Sequence, residues 1–161
     1  MSEAFHSLRW PVFEDISNIR VASDPDSAEP ELLPFEGHPI AAEAATKIPL
    51  KEIAFSLEVL DNYEAAEFEA PDRVFVRGAD GGIVTVADVV KQLSAYFIAH
   101  KEAILEAKFP FLDFDKDNLS NTRVFFDGFT FIIEPGMYSL PVELWAEGEN
   151  GESANHWRHG V

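Results

Sequence analysis

Gly82-Ile83-Val84-Thr85-Val86-Ala87-Asp88-Val89-Val90-Lys91-Gln92-Leu93 passes from β-branched, strand-like residues to helix-like ones with no loop between them. Thr85 offers a hydroxyl that can accept an orphan amide at a helix start, and Asp88, three residues on, suits the positive end of the helix dipole. Val86, Val89, Val90, Leu93 and Phe97 recur at helical spacing, with Lys91, Gln92 and Ser94 on the opposite side. The junction therefore predicts a capped helix with one buried face. Before it, Arg73 to Arg77 alternate, and Ala79-Asp80-Gly81-Gly82 supplies residues that accept positive φ. These features predict a hairpin of strand 72–78 with strand 82–86.

Ile53, Phe55, Leu57 and Val59 alternate with Glu52, Ala54, Ser56 and Glu58, the period of a strand with one buried face. His100 to Phe109 form a second helical piece, either continuing the first helix or bending away from it, and Pro110 ends it. Phe111 to Asn121 read as a loop. Arg123 to Phe126 and Phe129 to Ile133 flank Asp127-Gly128, a pattern that fits a hairpin or one bulged strand. Glu134-Pro135-Gly136-Met137 reads as a turn. Tyr138 to Trp145 offer a last strand, in which Pro141 favours an edge position.

Alternating strands and a striped helix each expose an apolar face that needs a partner. The expected fold is α+β: a mostly antiparallel sheet packed against one or two helices, in a single domain. That domain is expected over residues 1–147, with Trp10 anchoring an N-terminal arm. Residues 21–46 contain six acidic residues, four prolines and no Lys or Arg, and read as a long acidic loop. Residues 148–161 read as a flexible C-terminal tail.

The chain has 161 residues, the length of one ordinary domain, and is 47% hydrophobic with fourteen Phe, which argues for a packed core. Twelve Lys+Arg against twenty-nine Asp+Glu give a net charge of −17, which argues against nucleic acid or an anionic membrane as partner. The absence of cysteine excludes disulfides, thiolate metal sites and a cysteine nucleophile. The N-terminus lacks a signal-peptide pattern and no segment has the apolar length of a membrane span, so a cytoplasmic or otherwise intracellular protein is expected.

Asp113-Phe114-Asp115-Lys116-Asp117-Asn118 begins like a calcium loop, with oxygen ligands at alternate positions. Asn118 stands where the turn needs Gly, and Val124 where a bidentate Glu belongs, so a solvated acidic loop is expected. His156 and His159 are spaced to share a helical face, but no third ligand lies nearby. No metal site and no cofactor are assigned. The many carboxylates carry no defined spacing, and no nucleophile elbow, P-loop or dinucleotide fingerprint occurs, so no catalytic residue is assigned. Phe109, Phe111, Phe114 and Phe126 are candidates to line an apolar ligand pocket, with core packing as the simpler reading.

Trp10, Ala45-Thr46-Lys47-Ile48-Pro49, the Val84-Thr85-Val86-Ala87-Asp88-Val89 junction, Arg123 to Phe126, Gly128-Phe129 and Leu144-Trp145 occur in the order seen in a family of short fungal proteins built on a domain of unknown function. The chain resembles that family over most of its length. The resemblance implies a fungal, intracellular α+β protein and brings no catalytic residues with it. The expected function is a non-enzymatic protein-interaction module using a sheet edge or exposed aromatics. The alternative is a small-molecule-binding protein or enzyme of specialised metabolism with a Phe-rich pocket between residues 109 and 131.

Overall fold

The computed structural model describes residues 1–64, 67–112, 116–130 and 138–149. They form β1 (Leu8–Arg9), β2 (Arg20–Ala22), β3 (Leu32–Pro34), β4 (Glu52–Leu57), α1 (Glu58–Asp61), β5 (Val74–Arg77), α2 (Val86–Ala99), α3 (Lys101–Lys108), β6 (Val124–Phe129) and β7 (Leu140–Ala146). The architecture is α+β in one domain, with a three-stranded antiparallel sheet β1-β2-β3 and a four-stranded mixed sheet ordered β5-β4-β7-β6.

Thr85 starts α2 through a reciprocal cap. Its hydroxyl accepts the Asp88 N–H at 3.2 Å, and the Asp88 carboxylate accepts the Thr85 N–H at 2.9 Å. Two donors that the first helical turn leaves without partners are thereby satisfied. Val86, Val89, Val90, Leu93 and Phe97 are buried, as the spacing demands. His100, at φ −111° and ψ 17°, interrupts the helical path, and α3 resumes at Lys101. Pro110 then lies inside a tight 3₁₀ turn, Phe109–Phe111, that ends the second helix.

The inner face of the larger sheet carries Ile53, Phe55 and Leu57 of β4, Val76 of β5, Val142, Leu144 and Ala146 of β7, and Phe126 and Phe129 of β6. These join the buried stripe of α2 in one apolar cluster. Trp10 is its keystone: the indole lies 5.5 Å from the Phe97 ring of α2 and 5.1 Å from the Phe126 ring of β6. Burying a large aromatic of this kind stabilises a fold by roughly 3 kcal/mol.

Both edges of the larger sheet are closed. Next to β6, the arm runs as an extra strand, because Phe126 N–H donates to the Trp10 carbonyl at 2.9 Å and Val12 N–H donates to the Val124 carbonyl at 2.8 Å. Beside β5, α2 covers the backbone through Gln92, which bonds both polar groups of Arg77, and Tyr96 O–H donates to the Asp72 carbonyl at 2.9 Å. Unpaired strand edges invite association, and these contacts remove that hazard.

Several sequence-based expectations are corrected. The 72–78 and 82–86 segments do not form a hairpin: β5 pairs with β4, Ile53 opposite Val76. The chain turns back at Asp80 and Gly81, whose φ values are 53° and 72°. Val84 then donates to the Leu50 carbonyl and accepts from Ala45, so its partner is the segment preceding β4. Residues 21–46 are more than a loop, since Val21 and Ala22 belong to β2, and β3 and a 3₁₀ turn at Pro39–Ala42 lie within them. β4 ends at Leu57, which places Val59 in α1 rather than in the strand.

The run after Arg123 is one bulged strand, not a hairpin, within the described residues. The bulge lies between Phe126 and Gly128, and Gly128 at φ 140° takes a backbone conformation that L side chains rarely adopt. β7 is central rather than at an edge: it pairs in parallel with β4, Ser56 opposite Pro141, and antiparallel with β6. Pro141 is tolerated there because it lies at the start of the strand, where its carbonyl still accepts the Thr130 N–H at 3.0 Å. The proposed turn at Glu134 to Met137 lies outside the described residues. So does the proposed tail from residue 150 onward, whereas Glu149 is described and bridges to Leu112.

Candidate functional site

Strand alternation sends Glu143 and Trp145 of β7 to the face of the sheet opposite the core, beside the Asp127 bulge of β6. α1, which follows β4 directly, brings Glu58, Val59 and Asn62 alongside, and Tyr63 and Glu64 extend that wall. The end of α3 and the Pro110 turn supply Lys108 and Phe111 opposite. The result is an open cleft of about 640 Å³ floored by β6 and β7. That volume falls within the range of roughly 300–1,000 Å³ in which proteins hold ligands.

Its charge is lopsided. Among the described residues, Glu58, Glu64, Asp127, Glu143 and Glu149 line the cleft, against Lys108 as the one basic lining residue. Lys108 is already committed, because its Nζ donates to both Glu149 oxygens at 2.9 Å. Those side chains are only 9% and 16% exposed, and Glu149 Oε2 also accepts the Ala146 N–H at 2.8 Å. This clip fixes the last described turn to α3.

Thr130, which is not itself a lining residue, stands between two carboxylates that are. Its Oγ1 lies 2.7 Å from Glu143 Oε1 and 3.1 Å from Glu58 Oε2. A hydroxyl has one proton and can donate to one carboxylate at a time. Neither Glu58 nor Glu143 forms an ion pair among the described residues. Among the described residues, negative charge is thus concentrated where Thr130 supplies a neutral donor, and a cationic donor complements it.

Of the four phenylalanines singled out in the sequence, Phe111 lines this cleft and is half exposed. Phe109 packs partly buried against the core. Phe126 is in the core, with ring contacts to Phe5 at 6.1 Å, Trp10 at 5.1 Å and Phe129 at 5.0 Å. The inward register of β6 puts it there, so it cannot line a pocket on the other face. Phe114 lies outside the described residues, as do Asp113, Asp115, His156 and His159.

Among the described residues no group of three or more His, Asp or Glu is placed to hold a metal ion. His38 Nδ1 accepts the Ile40 N–H at 3.2 Å as a turn cap, and the His100 ring packs against Tyr96 at 4.5 Å. Sequence reasoning missed Glu58, Thr130, Glu143 and the Lys108–Glu149 pair, whose members come together from separate segments. The one available signal was register: Glu143 falls between buried Val142 and Leu144.

No protein-family model, curated protein or solved structure matches the chain. No helix among the described residues is long and apolar enough to cross a membrane.

Proposed function

We propose that this chain is an intracellular protein-interaction module of the fungal family it resembles, and that the cleft between α1, α3 and β7 takes a basic segment of a partner protein. The observation that carries the reading is the Glu58–Thr130–Glu143 cluster, two carboxylates sharing one hydroxyl with no cation among the described residues paired to either. Lys or Arg supplies the missing donors, and a charge-assisted hydrogen bond is about twice as strong as a neutral one. The net charge of −17 steers such a partner inward. Recognition by strand addition to the larger sheet has less to recommend it, because the arm and α2 occupy both its edges.

The test separates this cleft from general attraction between opposite charges. A lysine- and arginine-containing peptide is titrated into the full chain, into the Glu58→Gln/Glu143→Gln variant, and into a Glu29→Gln/Glu31→Gln variant with the same net charge. The cleft variant should bind about tenfold more weakly, the size expected for lost hydrogen bonds to a charged group, while the loop variant stays close to the parent. Equal losses in the two variants would overturn the reading.

A further inference from the structure

We infer that β3 is a docking edge, to which an extended segment of a partner protein, alternating apolar and basic residues, adds as a further strand of the smaller sheet. β3 ends that sheet, and no strand among the described residues pairs with its outer side. Leu32 and Leu33 are 48% and 38% exposed, flanked by exposed Glu31 and Pro34. The larger sheet, by contrast, has both edges covered. β3 is separate from the cleft, and the inference stands without it.

The β2–β3 ladder fixes which backbone groups are open. Ser23 N–H donates to the Glu31 carbonyl at 2.9 Å, Phe35 N–H donates to the Ile19 carbonyl at 3.1 Å, and Val21 lies opposite Leu33. Bonded and unbonded pairs alternate along an antiparallel ladder, so residues 31, 33 and 35 turn their backbone groups toward β2, while Leu32 and Pro34 turn theirs away. The open edge therefore offers one donor, the Leu32 N–H, and two acceptors, the Leu32 and Pro34 carbonyls, since proline has no N–H.

Such an edge rejects a second copy of the chain. Antiparallel pairing of two β3 strands about Leu32 would set Pro34 of each opposite Pro30 of the other, where neither has a donor, and a net charge of −17 on each chain adds repulsion. An ordinary segment of another protein supplies N–H donors to both carbonyls. Its charge follows from the surroundings: Asp24, Asp26, Glu29, Glu31 and Glu36 are exposed, and residues 21–46 contain no Lys or Arg. Arg20, opposite Pro34, directs its guanidinium to the Ser17 and Ile19 carbonyls. Strand alternation then sets the partner's apolar side chains beside Leu32 and its basic ones beside Glu31 on the other face. Main-chain bonds give the affinity of strand addition, and alternate side chains give its specificity.

The probe is a short acetylated, amidated peptide alternating lysine and valine, titrated calorimetrically into the full chain while hydrogen exchange is read at the Leu32 amide. Binding should slow exchange there about tenfold, the protection that one hydrogen bond gives. The same peptide methylated at every backbone nitrogen keeps its charges and should bind about tenfold more weakly, having lost its donors. Leu32→Pro, which deletes the edge donor and leaves the bonds to β2 in place, should weaken the unmethylated peptide similarly, and a peptide alternating glutamate and valine should not bind. Unchanged exchange at Leu32, or equal affinity for the methylated or the glutamate peptide, overturns the inference. So does a loss of affinity in Glu58→Gln/Glu143→Gln, which would seat the peptide in the cleft, and so does self-association that Leu32→Pro abolishes, which would make a second copy the occupant. Should Leu32→Pro fail to fold, Leu32→Lys serves instead, since its like charge must weaken the lysine peptide, and undiminished binding counts against the inference. A basic peptide built on glycine has no side chain to cover Leu32 and gains little at β3, so with such a peptide the cleft is tested separately from the edge.

Discussion

Gln92 and Arg77 share two hydrogen bonds: Gln92 Nε2 donates to the Arg77 carbonyl at 2.9 Å, and Gln92 Oε1 accepts the Arg77 N–H at 3.2 Å. The carboxamide thus stands where the peptide group of another strand would stand, and a helix side chain closes the open side of β5. Gln92→Ala should cost about 1 kcal/mol, the net worth of such bonds, and should expose an edge able to pair with another molecule. Urea unfolding measures the first effect. Light scattering against concentration measures the second, and a variant that stays monomeric at all concentrations would show that Gln92 is not an edge guard.

Thr85→Ala should cost about 1 kcal/mol, because it leaves the Asp88 amide without its acceptor at the start of α2. Hydrogen exchange supplies a local readout: amides in the first turn of α2 should loosen before those of the Leu93–Phe97 turn. Uniform protection along the helix would mean that packing of Val86 and Val89, rather than the cap, holds the helix start.

The cap and the buried stripe of α2 were legible because each depends on residues within about three helical turns. The partner of the strand-like segment before that cap was not legible. Ile83 to Thr85 have strand chemistry, but only the folded chain reveals that Val84 bonds Leu50 and Ala45 rather than β5. Pro141 misled for a related reason. It signals a missing donor, yet β7 meets β4 in parallel across more than eighty residues of sequence, and the proline, second residue of β7, pairs there with Ser56. The cleft was hidden because Glu58, Thr130 and Glu143 look like solvated polar residues until the strand order sets them together. Gln92 was hidden in the same way, since its place on the polar side of an amphipathic helix suggests solvent rather than a strand edge.

Gly128 makes a separable prediction. A Cβ built there meets nothing within 4 Å, so crowding does not require the glycine; its φ of 140° does. Gly128→Ala should therefore destabilise by about 1–3 kcal/mol through backbone strain alone. Gly78 is the opposite case, since a Cβ there would lie 2.3 Å from the Gly82 carbonyl oxygen. Comparing thermal unfolding of Gly128→Ala with Gly37→Ala, another open site at positive φ but outside the sheet, tests whether the bulge adds to the strain. Equal costs at the two sites would mean that the bulge adds nothing.

Tyr96 ties stability to alkaline pH. Burial of its phenol, with the Asp61 and Asp72 carboxylates adding repulsion, pushes its pKa up from 10.0 to about 12. The folded state holds this proton more tightly than the unfolded chain, so the contribution is fully present below pH 10 and is lost as pH rises through about 12. Screening of a half-buried group limits the loss to about 1 kcal/mol. Tyr96→Phe should be less stable at neutral pH, having lost the bond to the Asp72 carbonyl, but should show a shallower fall across that alkaline window. Parallel pH profiles for the two proteins would refute the assignment.

Lys108 links the stability of the cleft to its charge, and the two should move in opposite directions when it is replaced. Lys108→Met keeps an unbranched apolar stem at the end of α3 but leaves the Glu149 carboxylate, among the described residues, with the Ala146 amide as its bond. Stranding one member of a buried ion pair costs about 3 kcal/mol, so the urea midpoint should fall. The same change leaves an uncompensated carboxylate in a cleft that, among the described residues, has five acidic lining residues and no other lysine, so a basic peptide should bind more tightly. Adding Glu149→Gln to Lys108→Met removes the stranded charge and should return both quantities toward the parent. If Lys108→Met instead lowered stability and peptide affinity together, the Lys108–Glu149 pair would be acting as a scaffold for the cleft, and the charge balance within it would not govern what it binds.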